Sequence, residues 1–95
     1  MTAMSYRPLG RCGTKVSVLG LGAWSTYGSS LKDEAAIAAI LKAAYSAGIN
    51  LFDTADSYGN GEAERLMVKT LKEFPRHTLV LSTKLFFPIS EDVND

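Results

Sequence analysis

Cysteine occurs once in the 95 residues, at Cys12, so no internal disulfide can form. Histidine also occurs once, at His77. With neither residue in a C-x-x-C or His/Cys cluster, the usual nitrogen and sulfur metal sites are excluded. An excess of either charge is missing too: 10 basic residues balance 10 acidic ones. No block of lysine and arginine is present to read a polyanion, so nucleic acid and anionic membrane drop out as partners. No apolar stretch approaches the roughly 20 residues of a membrane span, and the amino terminus lacks the apolar centre of a signal peptide. Direct membrane insertion is therefore not expected, and a lone unpaired cysteine fits a reducing, cytoplasmic setting. What remains, 46% hydrophobic and 21% charged, is the composition of a soluble globular domain and not of a disordered chain.

The organisation lies in three apolar runs that each end in polar or glycine residues. Val18-Leu19-Gly20-Leu21 ends at Gly22, Asn50-Leu51-Phe52 ends at Asp53, and Leu79-Val80-Leu81-Ser82-Thr83 ends at Lys84. The spacing from Gly22 to Asp53 and from Asp53 to Lys84 is 31 residues in both cases. One period carrying an apolar run and then an amphipathic one is a βα repeat. The first connecting helix is expected from Asp33 to Ala47. Its apolar face is Ile37, Ile40, Leu41 and Ala44, its first turn holds Asp33 and Glu34, and Gly48 is its C′ residue. The second is expected to be capped by Asn60 and opened by Gly61-Glu62-Ala63-Glu64, with Ala63, Leu66, Met67, Thr70, Leu71 and Phe74 inward and Pro75 ending it. Ahead of the repeat, Tyr6 to Leu9 and Lys15 to Val18 flank Gly10-Arg11-Cys12-Gly13-Thr14, the pattern of an antiparallel hairpin with Cys12 at its exposed tip. The strands are continuously apolar, as parallel strands covered on both faces are.

Gly20-x-Gly22-x-x-Ser25 resembles a dinucleotide fingerprint with its third glycine lost, but the helix that should begin at the glycines waits until about Asp33. The intervening Ser25 to Ser30 reads as a loop long enough to cover a ligand. Trp24, just past the strand end, is either a core aromatic or a surface on which a flat ligand stacks. His77 precedes its strand, at the end opposite to the polar termini, and reads as an exposed loop residue.

Polar groups at the carboxyl ends of parallel strands mark the position where α/β folds place their chemistry. A carboxylate ending an apolar strand needs a partner, and Lys84 is placed to provide it. Tyr58 follows Asp53 on the loop, and adjacent strands would bring all three to one rim. A free phenol titrates near 10, and a neighbouring ammonium favours the phenolate. Such a trio suits a general acid that protonates a carbonyl oxygen. The plainer alternative is that Asp53 forms an Asx-turn with Thr54-Ala55, Tyr58 is a half-buried loop aromatic, and Lys84 snorkels from a strand end. Spacing alone leaves both open.

Four stretches carry a resemblance. Tyr6-Arg7-x-Leu9-Gly10, Val16-Ser17-x-Leu19-Gly20-Leu21-Gly22-x-Trp24, Gly48-Ile49-Asn50-Leu51-Phe52-Asp53-Thr54-Ala55-x-x-Tyr58 and Ser82-Thr83-Lys84 resemble the amino-terminal third of the aldo-keto reductases, and within them the potassium-channel beta-subunit branch and its microbial reductase relatives. The resemblance implies an α/β fold, a partial (β/α)8 TIM barrel in which an amino-terminal hairpin precedes βαβαβ, three of eight parallel strands. It implies NADPH-dependent reduction of aldehydes and ketones, with Tyr58 the proton donor, Lys84 the modulator of its pKa and Asp53 the lysine's partner. Ala23, Trp24 and Asp53 match positions near the nicotinamide of NADP(H). A small carbonyl compound is the implied substrate, and a channel-type or homo-oligomeric partner is the further possibility it raises. A barrel of this kind takes about 250 residues, so residues 1–95 are expected to be an amino-terminal fragment of the barrel domain, inactive alone. The rival readings are an NADPH-sensing regulatory subunit and a non-catalytic truncated product.

Overall fold

The computed structural model describes residues 3–23, 33–85 and 90–92. Two short strands, β1 (Tyr6–Pro8) and β2 (Lys15–Ser17), form the antiparallel hairpin, with Tyr6 opposite Ser17. Strands β3 (Gly20–Gly22), β4 (Leu51–Asp53) and β5 (Val80–Ser82) form a parallel sheet in sequence order. Helix α1 (Glu34–Ser46) connects β3 to β4, and α2 (Glu62–Leu71) connects β4 to β5. The expected hairpin followed by βαβαβ is present, with β4 set one residue later than its apolar run and the other strands one or more residues shorter than theirs. The shortening at β5 has a visible cause: Arg76–Thr78 makes a 3-10 turn, and Leu79 is consumed in leaving it.

Register places Leu21, Phe52 and Leu81 in one row and Gly22, Asp53 and Ser82 in the next. Side chains alternate along a strand, so the first row faces the helices and the second faces away. Phe52 is fully buried, in one cluster with Ile37 and Leu41 of α1 and Leu66, Met67 and Leu71 of α2. Burying a side chain of this size contributes about 1.5–3 kcal/mol. The helices are joined at the amino-end side by Tyr45 and Phe74, whose rings stack at 3.9 Å and 4°. Among the described residues the sheet is buried only on the helix face of its central strand: Leu51 and Asp53, which face away, are half-buried, and Leu81 on the edge strand is 44% exposed.

Asp33 stands just outside α1 as its N-cap, its carboxylate accepting from the Ala35 N–H at 2.9 Å and the Ala36 N–H at 3.4 Å. Ile40 belongs to the helix's outer side at 39% exposure, because only Ile37, Leu41 and Ala44 point squarely at the sheet. Gly48 ends the helix at φ +100° as anticipated, and a side chain there would meet Met4 Cβ at 2.8 Å. The cap of α2 differs from the expectation. Asn60 makes no side-chain cap: Gly59, Asn60 and Gly61 are three successive left-handed residues (φ 56°, 54° and 91°), and Gly61 is the N-cap. Asparagine and glycine are the types that tolerate that conformation, so Asn60 serves the turn's backbone and not the helix end. Helix α2 also stops at Leu71, before Pro75, its last carbonyls taken by the turn bonds of Glu73 to Thr70 and Phe74 to Leu71.

The hairpin is fastened beneath the amino ends of the sheet. The Tyr6 hydroxyl donates to the Gly48 carbonyl at 2.6 Å. Asn50, one residue ahead of β4, accepts from the Ser17 N–H at 2.8 Å and donates to the Lys15 carbonyl at 2.9 Å. Ser17 is buried and donates its hydroxyl to the Leu19 carbonyl at 2.6 Å. Cys12 is exposed at the hairpin tip, and His77 is exposed in the 3-10 turn before β5.

Candidate active site

Backbone pairing continues past the strands at their carboxyl ends. The Ala23 N–H donates to the Asp53 carbonyl at 3.0 Å, Thr54 N–H to Ser82 at 2.8 Å and Asp56 N–H to Lys84 at 3.2 Å. Alternation along this extension sends Lys84 to the same face as Ser82 and Asp53, and Thr83 to the helix face. The 31-residue spacing thus resolves into a contact. The Lys84 ammonium lies 2.9 and 2.8 Å from the two oxygens of Asp53, 2.9 Å from the Thr54 carbonyl and 3.1 Å from the Tyr58 hydroxyl oxygen.

An ammonium has three N–H donors and no lone pair. Its three hydrogens therefore answer to three groups: the Asp53 carboxylate, the Thr54 carbonyl and the phenol oxygen. The last bond has one possible direction, from Lys84 to Tyr58, which leaves the phenol's own hydrogen available to another acceptor. Although the ammonium is also 5.0 Å from the centre of the Tyr58 ring, its 3.1 Å approach to the oxygen makes this a hydrogen bond first and a ring contact second.

The charges reinforce each other. The Lys84 ammonium holds the Asp53 carboxyl below its usual range, and Ser82 adds a smaller push in the same direction. Asp53 first, and Tyr58 second, hold the ammonium above its ordinary value. Both side chains are partly open, with 47% of Lys84 and 41% of Asp53 exposed, so water screens the pair. Tyr58 packs its ring against the core while its hydroxyl reaches the rim. The three left-handed residues after it fold the chain back into α2 and fix where the ring stands.

Among the remaining anticipated positions, Ala23 is completely buried and supports Asp53 through its backbone. Trp24 and the Ser25 to Ser30 loop lie outside the described residues. Sequence reasoning missed the Thr54 carbonyl, since any residue type supplies one. It also missed the Thr83 hydroxyl, which donates to the Glu64 carboxylate across the helix face. Alternation applied one step beyond the strand would have pointed Thr83 at α2. Thr54 has a buried hydroxyl with no hydrogen-bond partner among the described residues.

The profile of the Aldo/keto reductase family matches residues 18–95. The chain belongs to that family. It is 34% identical to the thermostable aldo-keto reductase Tm1743, whose structure was solved with the inhibitor epalrestat, over 84% of this chain and 30% of that one, with a TM-score of 0.73. It is 36% identical to the aldo-keto reductase AKR11C1 from Bacillus halodurans in its holo form, over 86% of this chain and 26% of that one, with a TM-score of 0.74. The chain thus spans under a third of the length of these relatives, and its architecture is part of a (β/α)8 barrel. No described helix is long and apolar enough to cross a membrane.

Proposed function

We propose that this chain supplies the proton-donating corner of an NADPH-dependent aldehyde and ketone reductase, with Tyr58 as the general acid. The observation that carries the reading is the one-way hydrogen bond from Lys84 to the Tyr58 oxygen at 3.1 Å. When the phenol passes its hydrogen to a carbonyl oxygen, the negative charge left on Tyr58 lies beside an ammonium already aimed at it, so little reorganisation is needed. Asp53 keeps that ammonium charged and in place. The donor set fits a nicotinamide because it is incomplete without one: these side chains can give a proton, and none can give a hydride. NADPH, held near Ala23, Trp24 and Asp53, would supply the hydride to the carbonyl carbon. The half-open rim around Lys84 and Asp53 leaves the phenol accessible to a small substrate, in a cytoplasmic setting where NADPH is available.

The test is kinetic, with this segment set in a complete barrel of the family. Tyr58→Phe should lower kcat about 10²–10⁴-fold, the usual worth of a positioned general acid. Lys84→Met should lower kcat strongly with the NADPH dissociation constant nearly unchanged. Unchanged rates per folded molecule in both variants would return Lys84 and Tyr58 to the snorkelling and loop-aromatic alternative.

A further inference from the structure

Lys84 is held on one face of the β5 extension by Asp53, Thr54 and Tyr58, and its neighbour Thr83 is held on the opposite face by Glu64. Glu64 lies in the first turn of α2, two residues after that helix begins and six after Tyr58. The segment that carries the phenol and the strand that carries the ammonium are therefore joined by a side-chain bond on the side away from the chemistry. Thr83 is the last residue before Lys84, so its attachment sets the rotation of the chain where the lysine leaves it. The backbone bonds from Thr54 and Asp56 hold the inner side of this extension, and on its outer side, with no neighbouring strand among the described residues, the Thr83–Glu64 bond adds a side-chain restraint on that rotation.

We infer that Glu64 and Thr83 form a positioning pair, which fixes the orientation of Lys84 toward Asp53 and the separation of Lys84 from Tyr58. The inference rests on the reading of Asp53, Tyr58 and Lys84 as a working trio, and adds to it two residues that touch none of the reacting groups. Loss of the Thr83 hydroxyl frees the strand end to turn, and the ammonium leaves the carboxylate and the phenol together. A serine at 83 keeps the hydroxyl and a glutamine at 64 keeps an acceptor, so both retain the pair.

The experiment is a carbon-detected NMR titration of the Asp53 carboxyl in the 95-residue chain, with the thermal midpoint recorded for each variant. In the parent the carboxyl should titrate below its ordinary range, because Lys84 donates to it at 2.9 and 2.8 Å. Thr83→Val and Glu64→Ala should each move it up toward that range, whereas Thr83→Ser should titrate with the parent and Glu64→Gln, which keeps the acceptor but loses the charge, with the parent or slightly below it. Removing the Glu64 charge would by itself push a nearby carboxyl down, so an upward move in Glu64→Ala reports geometry and not lost repulsion. A titration unchanged in Thr83→Val and Glu64→Ala, whatever happens to the midpoint, overturns the pair and leaves the trio intact. A parent carboxyl that titrates in the ordinary range removes the trio itself, and the pair with it.

Discussion

At the residue scale the Asp53–Lys84 contact has a consequence for stability as well as chemistry. The carboxyl of Asp53 is depressed in the folded chain, so its contribution is present above the unfolded value, about 3.9, and disappears as pH falls through the folded value. Lys84 is raised, so its contribution is present below about pH 10.4 and disappears as pH rises through the higher folded value. Exposure of both side chains keeps the effect small. Urea unfolding measured from pH 7 to pH 2 should show stability falling below about pH 4, and Lys84→Met should flatten that fall. An identical slope in the variant would mean the ion pair adds nothing to the folded state in solution.

At the scale of elements, the attachment of the hairpin to the sheet rests on Asn50. Its side chain satisfies a buried strand N–H and an exposed carbonyl at once. Asn50→Leu keeps the approximate volume and removes both bonds, leaving the Ser17 N–H unpaired next to a buried side chain. The expected cost is roughly 1–3 kcal/mol, read as a lower urea midpoint with the same slope. Because this attachment lies at the amino ends of the strands, the Asp53 titration should not move. A hairpin that contributed little to the fold would give a loss well under 1 kcal/mol.

For the whole molecule, the sheet is covered unevenly. Helices α1 and α2 close over Phe52, but the groove between α2 and β5, lined by Met67, Val68, Leu71 and Leu81, has no cover among the described residues. Val68 is 53% exposed, Leu81 44% and Leu85 87%. An apolar surface of this continuity takes up hydrophobic dyes. Bound 8-anilinonaphthalene-1-sulfonate should fluoresce in the native chain, and Val68→Glu should reduce that signal by about half while changing stability by no more than about 0.5 kcal/mol. Equal dye binding by parent and variant would place the dye elsewhere.

The sequence by itself determined the order of elements, the parallel sheet and the three side chains, Asp53, Tyr58 and Lys84, that meet at its carboxyl rim. It could do so because these follow from local periodicity and a repeat: apolar runs recurring every 31 residues leave one economical arrangement. Gly48 was readable for the same reason, as a glycine directly after an amphipathic run. Asn60 was misread as a helix cap because the cap and left-handed turn positions attract the same residue types, and only the backbone angles distinguish them. Ile40 was placed inward because helical spacing gives a stripe and not its width, which is set by how closely the sheet approaches. Tertiary structure alone decided that Lys84 saturates its three donors on Asp53, Thr54 and Tyr58, and that Thr83 turns the other way to Glu64. Those outcomes depend on register between strands and on where α2 lies against β5, quantities that arise from packing two helices on one sheet and are written in no single stretch of the chain.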